Sequence, residues 1–292
     1  DRGSNPRGDA TQTREIEMQP KARLTPGFFF APSARKMRDV RPVTGCTQSE
    51  HAPDMDATFS VEAWSAYAAG LDDQTAWCEW ARAPWLPSGD AMPALAEMAP
   101  MQRRRVERLG RAALQVAWRC QHQDDGDVPL VFASRHGDLD RTHRMLAELA
   151  RDEPLSPTQF GLSTHNAIAA QYSIGRMLHG NYLAVSAIRA TPEAAVIEAL
   201  GLLADGAPAV LVVVYDDAVP VDYDAFVDEP DTLHAWAWRI VAPREGLPRL
   251  SLRAGEPAAS GALPHSLEVL RFFLAGDASL PGLDGGGWTR HA

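Results

Sequence analysis

The stretch His179-Gly-Asn-Tyr-Leu-Ala-Val-Ser-Ala-Ile-Arg-Ala-Thr-Pro-Glu193, continuing to Ala204, decides how this chain is read. It spells a short strand over Tyr182 to Ala187, a tight elbow at Ile188-Arg189-Ala190-Thr191, and a helix opening near Pro192, where proline is tolerated in the first turn. A strand that feeds a helix through an elbow aims a side chain, and the helix dipole favours an anion there. That is how a nucleophile is presented, yet the elbow carries Arg189, which cannot attack anything. The layout is present and the reactive group is missing.

Outward from the elbow, strand-like and helix-like segments alternate. Thr58 to Tyr67 reads as a strand, followed by a connection rich in tryptophan at 77, 80 and 85. Met101, Val106, Leu109, Ala112, Leu114 and Val116 fall mostly at helical spacing, which predicts a helix over Pro100 to His122. A buried-type strand over Val128 to Ala133, a helix from Asp138 to Arg151 and a helix over Ser163 to Leu178 follow. Beyond the elbow come the helix to Ala204, a strong strand over Ala209 to Tyr215, strands near Leu233 to Val241 and Arg249 to Leu252, and a helix from Pro264 to Leu274. Parallel strands need helical crossovers, so this alternation predicts an α/β fold with helices layered around a mostly parallel sheet.

Within that frame the chain divides into three. Residues 1 to 54 mix charges, Pro, Ser and Gly without periodicity, and Met55 opens a segment that looks like a natural start; they read as a disordered leader or upstream sequence. Residues 55 to 276 form the domain, and 277 to 292, with Gly285-Gly286-Gly287, read as a flexible tail.

These segments resemble a family. Pro154-Leu155-Ser156-Pro157-Thr158-Gln159-Phe160, Ser163-Thr164-His165-Asn166-Ala167 with Ile174, and the Gly180-led strand look like the N-terminal half of a β-ketoacyl synthase. Leu130-Val131-Phe132-Ala133-Ser134-Arg135-His136-Gly137 fits an earlier strand and glycine turn of the same half. The nearest likeness is to the short chain-length-factor-like proteins of aryl polyene pigment pathways, and it spans about Phe59 to Ala275.

The resemblance implies a thiolase-like half-fold and places the catalytic Cys position at Arg189. Ketosynthase chemistry needs a thiolate, two histidines and usually a lysine, and the matching region supplies none of them in place. The implied role is non-catalytic: a subunit without condensing activity that pairs with an active ketosynthase and closes the far end of its acyl channel. In the family the strand corresponding to Tyr182 to Ala187 pairs across the dimer axis. Tyr182, Leu183, Val185 and Ala187 are therefore the expected interface, with Ser163 and Asn166 beside them at the channel. The expected partner is that ketosynthase, with an acyl carrier protein engaged indirectly, no cofactor, and a cytoplasmic location.

Charge bears on the partners. Lys21 and Lys36 are the only lysines, and from Met55 onward 19 arginines stand against 31 acidic residues, a net of −12. No later lysine can act as Schiff base or phosphate-loop group, and such a surface repels nucleic acid and acidic carrier proteins alike. Hydrophobic residues at 45% and charged residues at 23% are ordinary for a globular protein, and no apolar run approaches the ~18 residues of a membrane span. Cys46, Cys78 and Cys120 are too few and too scattered for a disulfide framework or a zinc site.

Other candidates have plainer accounts. Ser134, His136 and Asp138 invite a triad, and a stand-alone serine acyl hydrolase or transferase using Ser134 or Ser163 is the competing functional reading. Three such residues within five positions read better as a turn whose side chains bond local backbone, because triad members usually come from separate elements. His165 reads as one satisfied polar contact on a closely packed helix, and Gly175 and Gly180 make no phosphate loop without a following lysine. Arg189 itself carries two readings: a vestigial site filling space near a partner's channel, or a solvent-facing arginine on a degenerated loop.

Overall fold

The computed structural model describes residues 57 to 292 except 72, 254 and 260, so the expected leader over 1 to 54 lies outside the described residues. Eight strands form one sheet: β1 (Ala57–Ala68), β2 (Leu130–Ala133), β3 (Tyr182–Val185), β4 (Val210–Asp216), β5 (His234–Val241), β6 (Arg249–Arg253), β7 (Ser279–Pro281) and β8 (Gly287–His291). Their spatial order is β3-β2-β4-β5-β1-β6-β8-β7.

The helices are α1 (Gln74–Arg82), α2 (Pro100–Arg103), α3 (Arg108–Cys120), α4 (Leu139–Ala150), α5 (Pro157–Ser163), α6 (Ala167–Arg176), α7 (Thr191–Ala204) and α8 (His265–Ala275). They cover both faces. Val210, Val212 and Val214 of β4 pack with Trp236 and Trp238 of β5 and with α1, α7 and α8. The intervening Leu211, Val213 and Tyr215 pack with Phe132 and with α3 and α6. Successive strand side chains point to opposite faces, so a strand buried on both sides reads as the unbroken apolar run Val210 to Tyr215.

The layered α/β class holds, but the sheet is mixed. Only β2–β3 and β2–β4 run parallel, and the other five pairings among the described residues are antiparallel. Between residues 130 and 216 helical crossovers link β2, β3 and β4 and enforce parallel pairing. The antiparallel pairs join strands that are mostly distant in the chain. β1 lies between β5 and β6, and β6 pairs with β8 across the intervening α8, so among the described residues only β7 and β8 are linked by a short connection.

Local chemistry moves several boundaries. The first part of the tryptophan-rich connection is helix α1: the Asp73 carboxylate accepts from the Ala76 N–H at 2.9 Å, and Trp77 and Trp80 are buried edge-to-face with ring centres 5.1 Å apart. Trp85 lies beyond the helix and is exposed. The helix expected over Pro100 to His122 breaks between α2 and α3. There the Arg111 guanidinium donates to the carbonyls of Val106 (3.0 Å) and Arg103 (3.3 Å), satisfying the interrupted backbone. Ser163 to Leu178 likewise divides into α5 and α6, with the Ser156 hydroxyl accepting from the Gln159 N–H at the start of α5.

The expected flexible tail over 277 to 292 carries β7 and β8 instead, and its Trp288 is 1% exposed, against Trp238 at 5.9 Å. At Gly287 the missing side chain permits close approach of two backbone segments. Gly287 has φ +127°, and a Cβ there would lie 2.4 Å from the Leu280 carbonyl oxygen.

Candidate functional site at the elbow

The parallel strands β2, β3 and β4 end together, and polar groups collect at their carboxyl ends, where ligands bind in open α/β sheets. Past β3, the Ala190 N–H donates to the Ala187 carbonyl at 2.9 Å. The buried Thr191 hydroxyl accepts from the Ala187 N–H at 3.0 Å and donates to the Ile188 carbonyl at 2.7 Å. This clasp drives Ile188 to φ +51°, a left-handed conformation that a β-branched side chain rarely adopts. α7 begins at once, with Pro192 in its first turn.

The apex of the elbow is therefore Ile188, one residue before the position expected from the sequence. Its side chain is 69% exposed. Arg189 turns inward, so it is neither a group presented at the apex nor a freely solvated arginine. Its guanidinium donates to the Ala258 carbonyl, and its Nε lies 3.4 Å from Glu229 Oε2.

Glu229 is the hub. Its other oxygen meets Arg135 Nη1 at 2.8 Å, and Oε2 accepts from the His265 N–H at 3.1 Å, at the start of α8. Arg135 also pairs with Asp228. Burial works against the Arg135 charge, but the two carboxylates outweigh it and hold that charge more firmly than usual. The acidic linker after β4 thus folds over the strand ends and neutralises both arginines there. Beneath the elbow, the buried Glu193 carboxylate accepts from Trp288 Nε1 and pairs with His265 Nε2, each at 2.7 Å. Burial would lower the His265 pKa, but Glu193 and Glu268 overcome it and raise it to about 9.

Ser134 is fully buried, where it donates to Asp216 Oδ1 at 2.9 Å and accepts from the Gly137 N–H at 2.8 Å. Asp138 caps α4 through the Arg141 N–H (3.2 Å) and pairs with Arg141 Nε (2.8 Å). The three residues build a turn, and the serine has no path to a substrate. Burial lifts the Asp216 carboxyl to about 7 despite the donors it receives from Ser134, Arg135 and His136. Ser163 bonds back to the Phe160 carbonyl at 2.9 Å, while Asn166 is exposed at the start of α6. Between them His165 Nε2 meets the Val185 carbonyl at 3.1 Å and fastens this corner to the end of β3.

The expected interface strand β3 has a hydrogen-bonded neighbour on one side only, among the described residues. Tyr182 packs onto one core and Val185 onto the other, and Leu183 is 37% exposed. The flanking helices leave Ile174 of α6, Met177 just past its end and Ile197 of α7 exposed. Both cysteines in view are free; burial drives the Cys120 thiol up to about 12, leaving it inert. Among the described residues no cluster of metal-ligating side chains occurs, and no helix is long and apolar enough to cross a membrane.

Residues 77–282 match the model of the beta-ketoacyl synthase N-terminal domain, and the chain belongs to that family. Among solved structures it is similar to a chain of the ketosynthase ApeO in complex with its chain length factor ApeC from Xenorhabdus doucetiae. That likeness has 26% identity and a TM-score of 0.68, over 80% of this chain and 99% of that one. The ishigamide ketosynthase/chain length factor shares the fold at 14% identity and a TM-score of 0.54, over 67% of this chain and 65% of that one. No curated protein matches the sequence.

The sequence pointed to the elbow and to β3. It missed Glu229, Arg135, Glu193 and His265, which lie far apart in the chain. The one available signal was charge: Asp228-Glu229 sits in an acidic linker, and the arginines it neutralises follow two of the strands.

Proposed function

We propose that this chain is the non-catalytic, chain-length-factor-like subunit of a heterodimer whose other half is an active β-ketoacyl synthase working in fatty-acid-like or polyene biosynthesis. The observation that carries this reading is the elbow. It keeps the strand, turn and helix that would aim a nucleophile, but its apex is Ile188 and its next residue, Arg189, is pinned to Glu229 and Ala258. Neither side chain can hold an acyl group, so the thiolate comes from the partner.

Three further features support pairing. Among the described residues β3 ends the sheet with no strand on its outer side, apolar side chains stand exposed beside it, and a chain from a ketosynthase–chain length factor complex is matched over 99% of its length. In this reading β3 meets its counterpart across the dimer axis, and the region of Ser163, Asn166 and Tyr182 to Arg189 closes the far end of the acyl channel. The net charge of −12 from Met55 onward sends an acidic carrier protein to the ketosynthase side.

The test is condensation with carrier-bound acyl and malonyl substrates. This chain alone yields no β-ketoacyl product, and adding it to the ketosynthase restores or redirects product length. Condensation by this chain alone, or identical ketosynthase products with and without it, contradicts the reading.

A further inference from the structure

Ile188 combines three properties that seldom coincide. It is β-branched at φ +51°, it is apolar, and it is 69% exposed. Within the described residues nothing recovers either cost: glycine would adopt this backbone without strain, and a polar side chain would suit water better. The conformation is nevertheless held firmly, by both hydrogen bonds of the Thr191 hydroxyl and by the inward anchoring of Arg189. A strained residue that its surroundings over-determine marks a position with a task.

Position says what the task is. Ile188 lies three residues beyond the end of β3, the strand at the end of the sheet among the described residues, whose Leu183 is also exposed, so its side chain continues the exposed apolar residues past the end of that strand.

We propose that Ile188 is an apolar anchor that this chain inserts into its ketosynthase partner, becoming buried only in the complex. The inference rests on the pairing proposed above and names the residue that secures it. Rigid apolar side chains at the centre of an interface carry a disproportionate share of binding, and a preformed elbow loses little freedom on docking.

The test uses the full chain with Ile188→Gly and Ile188→Ala, measuring thermal unfolding of the isolated protein in dilute solution and affinity for the ketosynthase encoded beside it. Glycine relieves the backbone strain, so the isolated Ile188→Gly protein melts about 2–4 °C higher. Its affinity for the ketosynthase nevertheless falls about 30-fold, roughly 2 kcal/mol. Ile188→Ala keeps the strain and loses the anchor: affinity drops by a similar factor without the rise in melting temperature.

Wild-type protein that binds the ketosynthase, with both variants binding equally well, overturns the anchor and leaves the pairing standing. A lower melting temperature for Ile188→Gly also overturns it, because the side chain would then be covered by the chain's own residues. Wild-type protein that binds no ketosynthase overturns the pairing and the anchor together.

Discussion

Replacing Glu193 with glutamine probes the ground on which the elbow stands. The Glu193 carboxylate ties α7 to α8 through His265 and to β8 through Trp288, all three side chains being buried. The His265 pKa rises from 6.5 to about 9, so the folded state holds this proton more tightly than the unfolded chain does. A raised pKa contributes stability that is complete below the unfolded value and is lost as pH climbs through the folded one. The window is therefore about pH 6.5 to 9. A shift of about 2.5 units corresponds to roughly 3 kcal/mol at 1.36 kcal/mol per unit.

Urea unfolding at intervals from pH 6 to 10 measures it. Glu268 shares in raising the His265 pKa and stays in the variant. The wild-type protein therefore loses about 1–2 kcal/mol more than Glu193→Gln across the window, and the variant, weaker by that amount at pH 6, converges on the wild type near pH 10. The amide oxygen of the introduced glutamine still accepts from Trp288, so the difference reports the part of the shift that Glu193 supplies. Stability curves that run parallel for the two proteins refute the argument.

Two other outcomes follow from the geometry. Leu183→Asp places a charge on a partly exposed position of β3, so the isolated chain loses only about 1–2 kcal/mol and stays folded while the ketosynthase complex is lost on a sizing column. Gly287→Ala forces a Cβ to within 2.4 Å of the Leu280 carbonyl at a φ of +127°, which costs about 2–3 kcal/mol in chemical unfolding and loosens the β7–β8 hairpin.

What was legible in the sequence is what local chemistry encodes. The unbroken apolar run of β4 and the helical spacing of α3 follow from burial on two faces and on one. The strand–elbow–helix at Tyr182 to Ala204 carries its own punctuation in Pro192. Pairing direction was not legible, because the antiparallel half of the sheet joins β1 to β5 and β6 across more than a hundred residues. The run Gly285-Gly286-Gly287 was read as a flexible tail, but Gly287 serves close backbone approach within the β7–β8 pair, and only Trp288 hinted at burial. At the elbow a one-residue difference mattered: the sequence placed Arg189 at the apex, and the Thr191 clasp puts Ile188 there and turns the arginine toward Glu229. That carboxylate lies 40 residues downstream of Arg189, beyond any spacing rule.

The most direct test of the account is co-expression with the ketosynthase encoded nearest to this chain, followed by sizing with mass determination of the purified material. The account predicts a one-to-one heterodimer. Made alone and concentrated, this chain aggregates, because among the described residues nothing covers its β3 edge and the apolar residues around it. A well-behaved monomer or homodimer that ignores every ketosynthase offered would contradict it.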